Sequence, residues 1–166
     1  LIITPTRQSY EIMIAGDGNL TIHLPSKFED PVQISGNEIS KAFNTYLTQV
    51  GNLEMNIDSL KKLSDLAENY SEKIAIQRIS KSFGDSIELI VKSYVTDYGG
   101  TLLGNYLRSL LPVKMPVIKI PPQVLNPDSF RWVESHAYYR NHYLDNVSFS
   151  DRGLIYTPVL EDKLII

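Results

Sequence analysis

Two histidines and two acidic residues lie close together in the sequence and are of the types that build metal sites or acid–base pairs. They are Glu134, His136, His142 and Asp145. A helix brings side chains together at spacings of three or four, so histidines six residues apart fall on different faces. Asp145 is predicted to lie beyond the end of that helix. We interpret the four as polar-face residues and a helix-terminal cation, and predict no metal site.

A dense aromatic cluster surrounds these residues. Trp132, Tyr139 and Tyr143 recur at spacings of seven and four, which is typical of a helical stripe that faces a core. Tyr138 and Arg140 fall on other faces and are expected to be exposed. Core packing is the interpretation that the spacing favours. Two alternatives stay open: a partner surface and stacking on a small ligand. The partner surface would comprise Trp132, Tyr138, Tyr139, Arg140 and Tyr143.

Other motifs for chemistry are missing from the sequence. The chain has no cysteine, which excludes disulfides, thiolate metal sites and cysteine nucleophiles. It has no Gly-x-Ser-x-Gly elbow, His-Glu-x-x-His pair or phosphate-binding glycine loop. The segment Gly16-Asp17-Gly18-Asn19 is predicted to be a hairpin turn, and Gly99-Gly100-Thr101 a helix stop followed by an N-cap. We therefore predict no catalytic residue, no cofactor and no metal.

Composition excludes several classes of protein. The 166 residues are 43% hydrophobic, enough for a folded core. The net charge is −3 and the basic residues are scattered, which argues against nucleic acid as a partner. No apolar run approaches the roughly 20 residues that span a bilayer. Both ends carry bare apolar residues, Leu1-Ile2-Ile3 and Leu164-Ile165-Ile166, so we expect the chain to be an excerpt of a longer protein.

The N-terminal segment has the alternation of half-buried strands. Apolar residues occupy every second position in residues 10–14 and again in 20–24, and the glycine-rich turn lies between them. This pattern predicts a β-hairpin, which needs cover from residues 1–4, a helix or further strands. His23 falls on the polar face of its strand, and we expect it to be exposed.

Helical spacing replaces this alternation from Ser35 onward. Ser35 and Glu38 fit a capping box, and two long amphipathic helices follow with a break near residues 69–72. They predict an antiparallel helical hairpin. A short third helix follows Thr101, and residues 112–127 contain five prolines and form the predicted internal linker. Asn126-Pro127 and Thr157-Pro158 are N-cap and N1 signatures of two more helices.

The predicted fold class is α+β and predominantly helical. N-terminal strands are expected to pack against a bundle of about five helices. The predicted domains are residues 1–34, the C-terminal strands of a truncated small β-domain, and residues 35–166, a helical domain truncated at its C-terminal end.

Two stretches resemble a known group of proteins. The first is residues 9–22 together with Val32-Gln33-Ile34-Ser35-Gly36-Asn37-Glu38 and Phe43-Asn44-Thr45-Tyr46. The second is Tyr138-Tyr139-Arg140-Asn141-His142-Tyr143, continuing to residue 160. Both are similar to the non-catalytic region that precedes the thioredoxin domain in TlpA-like bacterial thiol:disulfide oxidoreductases. These enzymes act through a Cys-x-x-Cys pair, which this chain lacks, so no catalytic residue can be transferred to it.

The resemblance implies an accessory role in the periplasm or cell envelope of a Gram-negative bacterium. The implied partners are the C-terminal thioredoxin-like domain of the parent protein or a client protein, and homodimerisation is a further implied role. In this interpretation, an exposed strand edge near residues 1–4 or the aromatic fourth helix docks the partner. An independent envelope module that binds a glycan or lipid is the alternative. An enzyme built on His142 and neighbouring acids is the third class.

Overall fold

The computed structural model describes residues 2–3, 9–16, 18–25 and 32–164. Within these ranges, short strands precede five α-helices, which confirms the predicted α+β, mostly helical class. The chain divides into two compact units, one ending at Asp97 and the other beginning at Tyr98. The boundary predicted between residues 34 and 35 falls inside a strand of the first unit. The predicted linker, residues 112–127, lies within the second unit.

The N-terminal strands form two separate antiparallel pairs. β1 (Ile2–Ile3) pairs with β2 (Ser9–Tyr10), and β3 (Thr21–His23) pairs with β4 (Gln33–Ser35). The predicted hairpin between residues 10–14 and 20–24 is therefore wrong. Residues 1 and 4 of the predicted edge strand, residue 17 of the predicted turn and the last two residues of the chain lie outside the described residues.

Residues 13–15 are bound to the first helix instead of to a strand. The buried Ser40 hydroxyl donates a hydrogen bond to the Met13 carbonyl at 2.6 Å, and the Asn37 side-chain amide donates to the Ala15 carbonyl. Met13 is itself buried. These side-chain bonds satisfy carbonyl groups that a β-ladder would otherwise use. The alternation in residues 10–14 does not match the burial: Ile14, one of the alternating apolar residues, is 71% exposed, whereas Met13 between them is buried. His23 is exposed as predicted.

Helix α1 (Glu38–Leu66) begins at a different cap from the one predicted. Its N-cap is Asn37, whose side-chain oxygen accepts a hydrogen bond from the Ser40 backbone N–H at 2.9 Å. The predicted capping box of Ser35 with Glu38 is wrong, because Ser35 is the last residue of β4. One asparagine therefore caps the helix and, through its amide, holds the preceding segment.

Helices α1 and α2 (Tyr70–Asp97) form the predicted antiparallel hairpin. The rings of Tyr46 and Tyr94 meet edge to face with centroids 5.5 Å apart, which brings the start of one helix beside the end of the other. The buried side chains of α1 lie in its first half, at Ser40, Ala42, Phe43, Tyr46 and Val50. Val91 is the buried residue of α2. The core of the first unit therefore lies at the open end of the hairpin.

The second unit contains the three shorter helices. They are α3 (Leu102–Leu110), α4 (Pro127–His142) and α5 (Pro158–Leu164), with a 3₁₀ turn at Arg152–Tyr156. Leu103 and Leu107 of α3 and Leu154 of the 3₁₀ turn are fully buried, and Val159 of α5 joins them. Segment 112–126 is non-helical, as its prolines predict. Just before this segment, the Leu111 carbonyl accepts a hydrogen bond from the Asn146 side chain at 3.0 Å.

Candidate recognition groove

Helix α4 is set by local signals that match the prediction. The Asn126 side chain accepts a hydrogen bond from the Ser129 backbone N–H at 3.0 Å, and Pro127 occupies the first turn. Asp128 lies at the positive end of the helix dipole and Arg140 at the negative end. No described side chain of α4 is buried. The helix therefore presents the rings of Trp132 and Tyr139 to solvent.

A groove of about 570 Å³ lies along α4 and the end of α5. Its walls combine aromatic and aliphatic side chains with two cations. The lining residues are Trp132, Val133, His136, Ala137, Tyr139, Arg140, Tyr143, Leu144, Lys163 and Leu164. Four of the five residues of the predicted partner surface thus line one groove: Trp132, Tyr139, Arg140 and Tyr143.

The predicted aromatic stripe is on the groove and not in the core. Trp132 is 62% exposed and Tyr139 is 47% exposed, so core packing, which the spacing favoured, is wrong for these two side chains. The Trp132 ring packs on His136 with centroids 4.1 Å apart, and the Tyr139 and Tyr143 rings lie 5.3 Å apart. These contacts along α4 and its C-cap residue Tyr143 hold the rings in place, and Trp132 and Tyr139 stay accessible.

The two cations of the groove come from different helices. Arg140 is on α4, and Lys163 is on α5 with its ammonium 4.8 Å from the centre of the Tyr143 ring. This cation–π contact positions the ammonium at the groove wall. Neither residue has an ion pair within the part of the chain that the structure describes. No described lining residue is acidic.

Among the other residues considered in the sequence, His136 lines the groove, whereas Tyr138 and His142 lie outside its lining. Tyr138 is half-buried, where exposure was expected, and its ring stacks on His142 with centroids 4.1 Å apart. His142 Nδ1 lies 2.6 Å from the Asp145 carboxylate, and His136 Nδ1 lies 3.2 Å from the Trp132 carbonyl. The two histidines thus have separate partners. Their spacing predicted this, whereas the pairing of His142 with Asp145 across the helix end was missed.

The turn before α3 has the predicted role. Gly100 has a φ of +79°, a left-handed conformation that glycine adopts readily, and it follows the end of α2. The Thr101 hydroxyl caps α3 by accepting a hydrogen bond from the Gly104 backbone N–H at 3.3 Å. Beside this turn, the Asp151 carboxylate accepts hydrogen bonds from Asn105 and from the Gly153 N–H. These bonds stabilise the loop and explain the acidic residue there.

Two wider properties bear on function. Among residues 2–3, 9–16, 18–25 and 32–164, no cluster of three or more histidine or acidic side chains is arranged to hold a metal ion. No described helix has both the length and the apolarity to cross a membrane. Comparisons of the chain with known protein families, with characterised proteins and with solved structures gave no match.

Proposed function

We propose that this chain is the non-catalytic recognition region of a thioredoxin-family thiol:disulfide oxidoreductase of the Gram-negative periplasm or cell envelope. The groove along α4 docks the redox domain of the parent protein or a client protein. One observation carries the proposal: Trp132 and Tyr139 expose about half of their surfaces or more, beside a cation with no ion pair among the described residues. The resemblance of residues 9–22, 32–38 and 43–46, and of the region 138–160, to the region before a thioredoxin domain supports the choice of partner.

The composition of the groove suits protein recognition. Tyrosine, tryptophan and arginine are enriched at the energetic centres of interfaces, where removal of one such side chain weakens binding by about 2 kcal/mol or more. Trp132, Tyr139 and Arg140 supply all three types on one helix. Strand β1, at the N-terminal sheet, is a second docking element in this proposal, because edge strands pair readily with other chains.

The test begins with the source gene. We expect the reading frame to continue beyond residue 166 into a thioredoxin-like domain with a Trp-Cys-x-x-Cys motif. That domain, expressed separately, is then titrated into this chain by isothermal calorimetry. Trp132→Ala and Tyr139→Ala should each weaken the association, whereas Tyr156→Ala should not. Tyr156 is the matched control because it is 90% exposed and lies outside the groove lining.

Two results would contradict this proposal. A reading frame that lacks a thioredoxin-like domain removes the proposed parent enzyme. Equal binding by the groove variants and by the Tyr156 variant places docking elsewhere. Loss of binding caused by unfolding is recognised from circular dichroism spectra of the same variants, and Tyr139→Phe then tests the groove with the ring retained. Sedimentation velocity in the same experiments reports whether the chain forms a homodimer.

A small-ligand module of the cell envelope is the second candidate function. The observation that favours it is the volume of the groove, about 570 Å³, which lies in the usual range of small-molecule sites. Exposed rings such as Trp132 stack on sugars or apolar chains. A panel of glycans and lipids in a thermal-shift assay tests this function. A saturable rise in melting temperature that Trp132→Ala abolishes would support it over protein docking.

A further inference from the structure

The groove differs in charge from the chain as a whole. The protein carries a net charge of −3, yet the two charged side chains lining the groove are Arg140 and Lys163, both basic. With no described carboxylate in the lining, these cations keep their charge available to an incoming group. An apolar surface bordered by two such cations is complementary to an apolar group that carries negative charge beside it.

The exposure of the rings bears on the size of the occupant. Small-molecule sites typically enclose 70–90% of their ligand. Here Trp132 stays 62% exposed and Tyr139 47% exposed, so the walls form an open trough. An open trough leaves much of a small ligand in water, whereas a folded or extended polypeptide can cover the rings from above. A protein segment therefore fits this surface better than a free amphiphile does.

We infer that the groove binds an acidic peptide segment, whose large apolar side chain packs against Trp132 and Tyr139 while its carboxylates pair with Arg140 and Lys163. This inference rests on the proposed function and specifies the chemistry of its partner. Arginine binds a carboxylate through two parallel hydrogen bonds, which fixes the orientation of the peptide. The Lys163 ammonium, held over Tyr143, provides the second anchor from the opposite helix.

The fluorescence of Trp132 can report binding in the groove. Trp132 is the only tryptophan in the sequence, so intrinsic emission reports on the groove. The probe ligand is a synthetic acetylated peptide, Glu-Glu-Phe-Leu-Glu-Glu, which has no tryptophan. A second peptide replaces every glutamate by glutamine, and a third replaces the phenylalanine and leucine by alanine. Sodium dodecanoate, an apolar chain with one carboxylate, tests whether a free amphiphile binds in place of a peptide.

The variants separate the two cations from general charge. Arg140→Gln with Lys163→Gln removes both groove cations and leaves Trp132 in place. Arg108→Gln with Lys114→Gln removes the same charge from exposed positions outside the groove lining. Because each exposed carboxylate pair contributes modestly, the groove double variant should weaken the acidic peptide about tenfold. The control double variant should bind within about twofold of the wild type, since distant charges are screened.

The inference is supported if the acidic peptide shifts Trp132 emission saturably, binds more tightly than the glutamine and alanine peptides, and weakens with added salt. It is overturned if the glutamine peptide binds equally, if both double variants bind alike, or if dodecanoate binds and the peptide does not. Association of the thioredoxin-like domain is scored separately. Domain binding that is unaffected by loss of both cations would refute the acidic segment and leave the proposed function intact.

Discussion

Replacing Gly104 with alanine is expected to destabilise the second compact unit, although alanine is the better helix former. Gly104 lies in α3, where its backbone passes close to the carbonyl group of Tyr98, four residues before the helix begins. An alanine Cβ there would lie 2.1 Å from the Tyr98 carbonyl oxygen and 2.7 Å from its carbon. Ordinary contact begins at 3.4 Å, so the oxygen and the Cβ must separate by 3.4 − 2.1 = 1.3 Å.

The Tyr98 carbonyl cannot move by this amount without losing its partners. It accepts hydrogen bonds from the Thr101 backbone N–H at 3.1 Å and from the Thr101 hydroxyl at 2.7 Å. Loss of the two bonds costs about 1 kcal/mol each, and overpacking adds about 1 kcal/mol. The higher helix propensity of alanine offsets about 1 kcal/mol. We expect the free energy of unfolding to fall by about 2 kcal/mol.

Urea denaturation measured through tryptophan fluorescence is the appropriate assay. Trp132 belongs to the second unit, and unfolding separates its ring from the adjacent His136 ring. Gly84→Ala is the matched control, because Gly84 lies within α2 and a Cβ there meets no atom within 4 Å. Followed by circular dichroism, that variant should be more stable by about 0.5–1 kcal/mol.

Opposite signs for the two substitutions are the essential result. Stability of Gly104→Ala equal to or above that of the wild type would show that Tyr98 moves freely, and would refute the close approach. Destabilisation by both variants would mean that the helix interiors respond to alanine for another reason.

Three further outcomes are expected. Ser40→Ala should lower the free energy of unfolding by about 1–3 kcal/mol in chemical denaturation followed by circular dichroism, since the Met13 carbonyl loses a buried donor 2.6 Å away; an unchanged midpoint would contradict this. Leu107→Ala should cost about 2–5 kcal/mol in the fluorescence assay, because the side chain is fully buried, whereas a loss under 1 kcal/mol would indicate a loose core. The Lys81 ammonium donates a hydrogen bond to the Asp85 carboxylate, and this bond, reinforced by the charge of Asp85, raises the pKa of Lys81; Asp85→Asn should lower that pKa in an NMR titration. Since the pKa of Lys81 is higher in the folded state, the stability contributed by this pair is complete below the ordinary lysine pKa and disappears as pH rises through the folded value. A Lys81 titration that is unchanged in Asp85→Asn would refute the pairing.

The helices were predictable because their signals are local. Asn126-Pro127 fixes the start of α4 within two residues, and Thr101 does the same for α3. Strand pairing was not predictable in the same way. The strands pair residues six to fourteen positions apart, and residues 13–15 are bound instead by Asn37 and Ser40, more than twenty positions along the chain. An alternating segment looks alike whether it faces a strand or a helix.

The groove illustrates a second limit of sequence reasoning. The spacing of Trp132, Tyr139 and Tyr143 correctly indicates one helical face, but spacing cannot say whether another element covers that face. Lys163 was missed altogether. It comes to the groove from α5, twenty residues after Tyr143, and no local pattern connects the two.

The helical hairpin of the first unit has an uneven distribution of burial with a dynamic consequence. α1 and α2 contain 29 and 28 residues, so each is about 42 Å long. The buried side chains of α1 all lie between residues 40 and 50, and the distal turn contributes Ala67. Amide hydrogen exchange should therefore be slowest in the first third of α1 and fastest toward the turn, because local opening costs least where few apolar contacts are lost. The far half of the hairpin is an arm that can separate and reclose while the base of the unit stays folded.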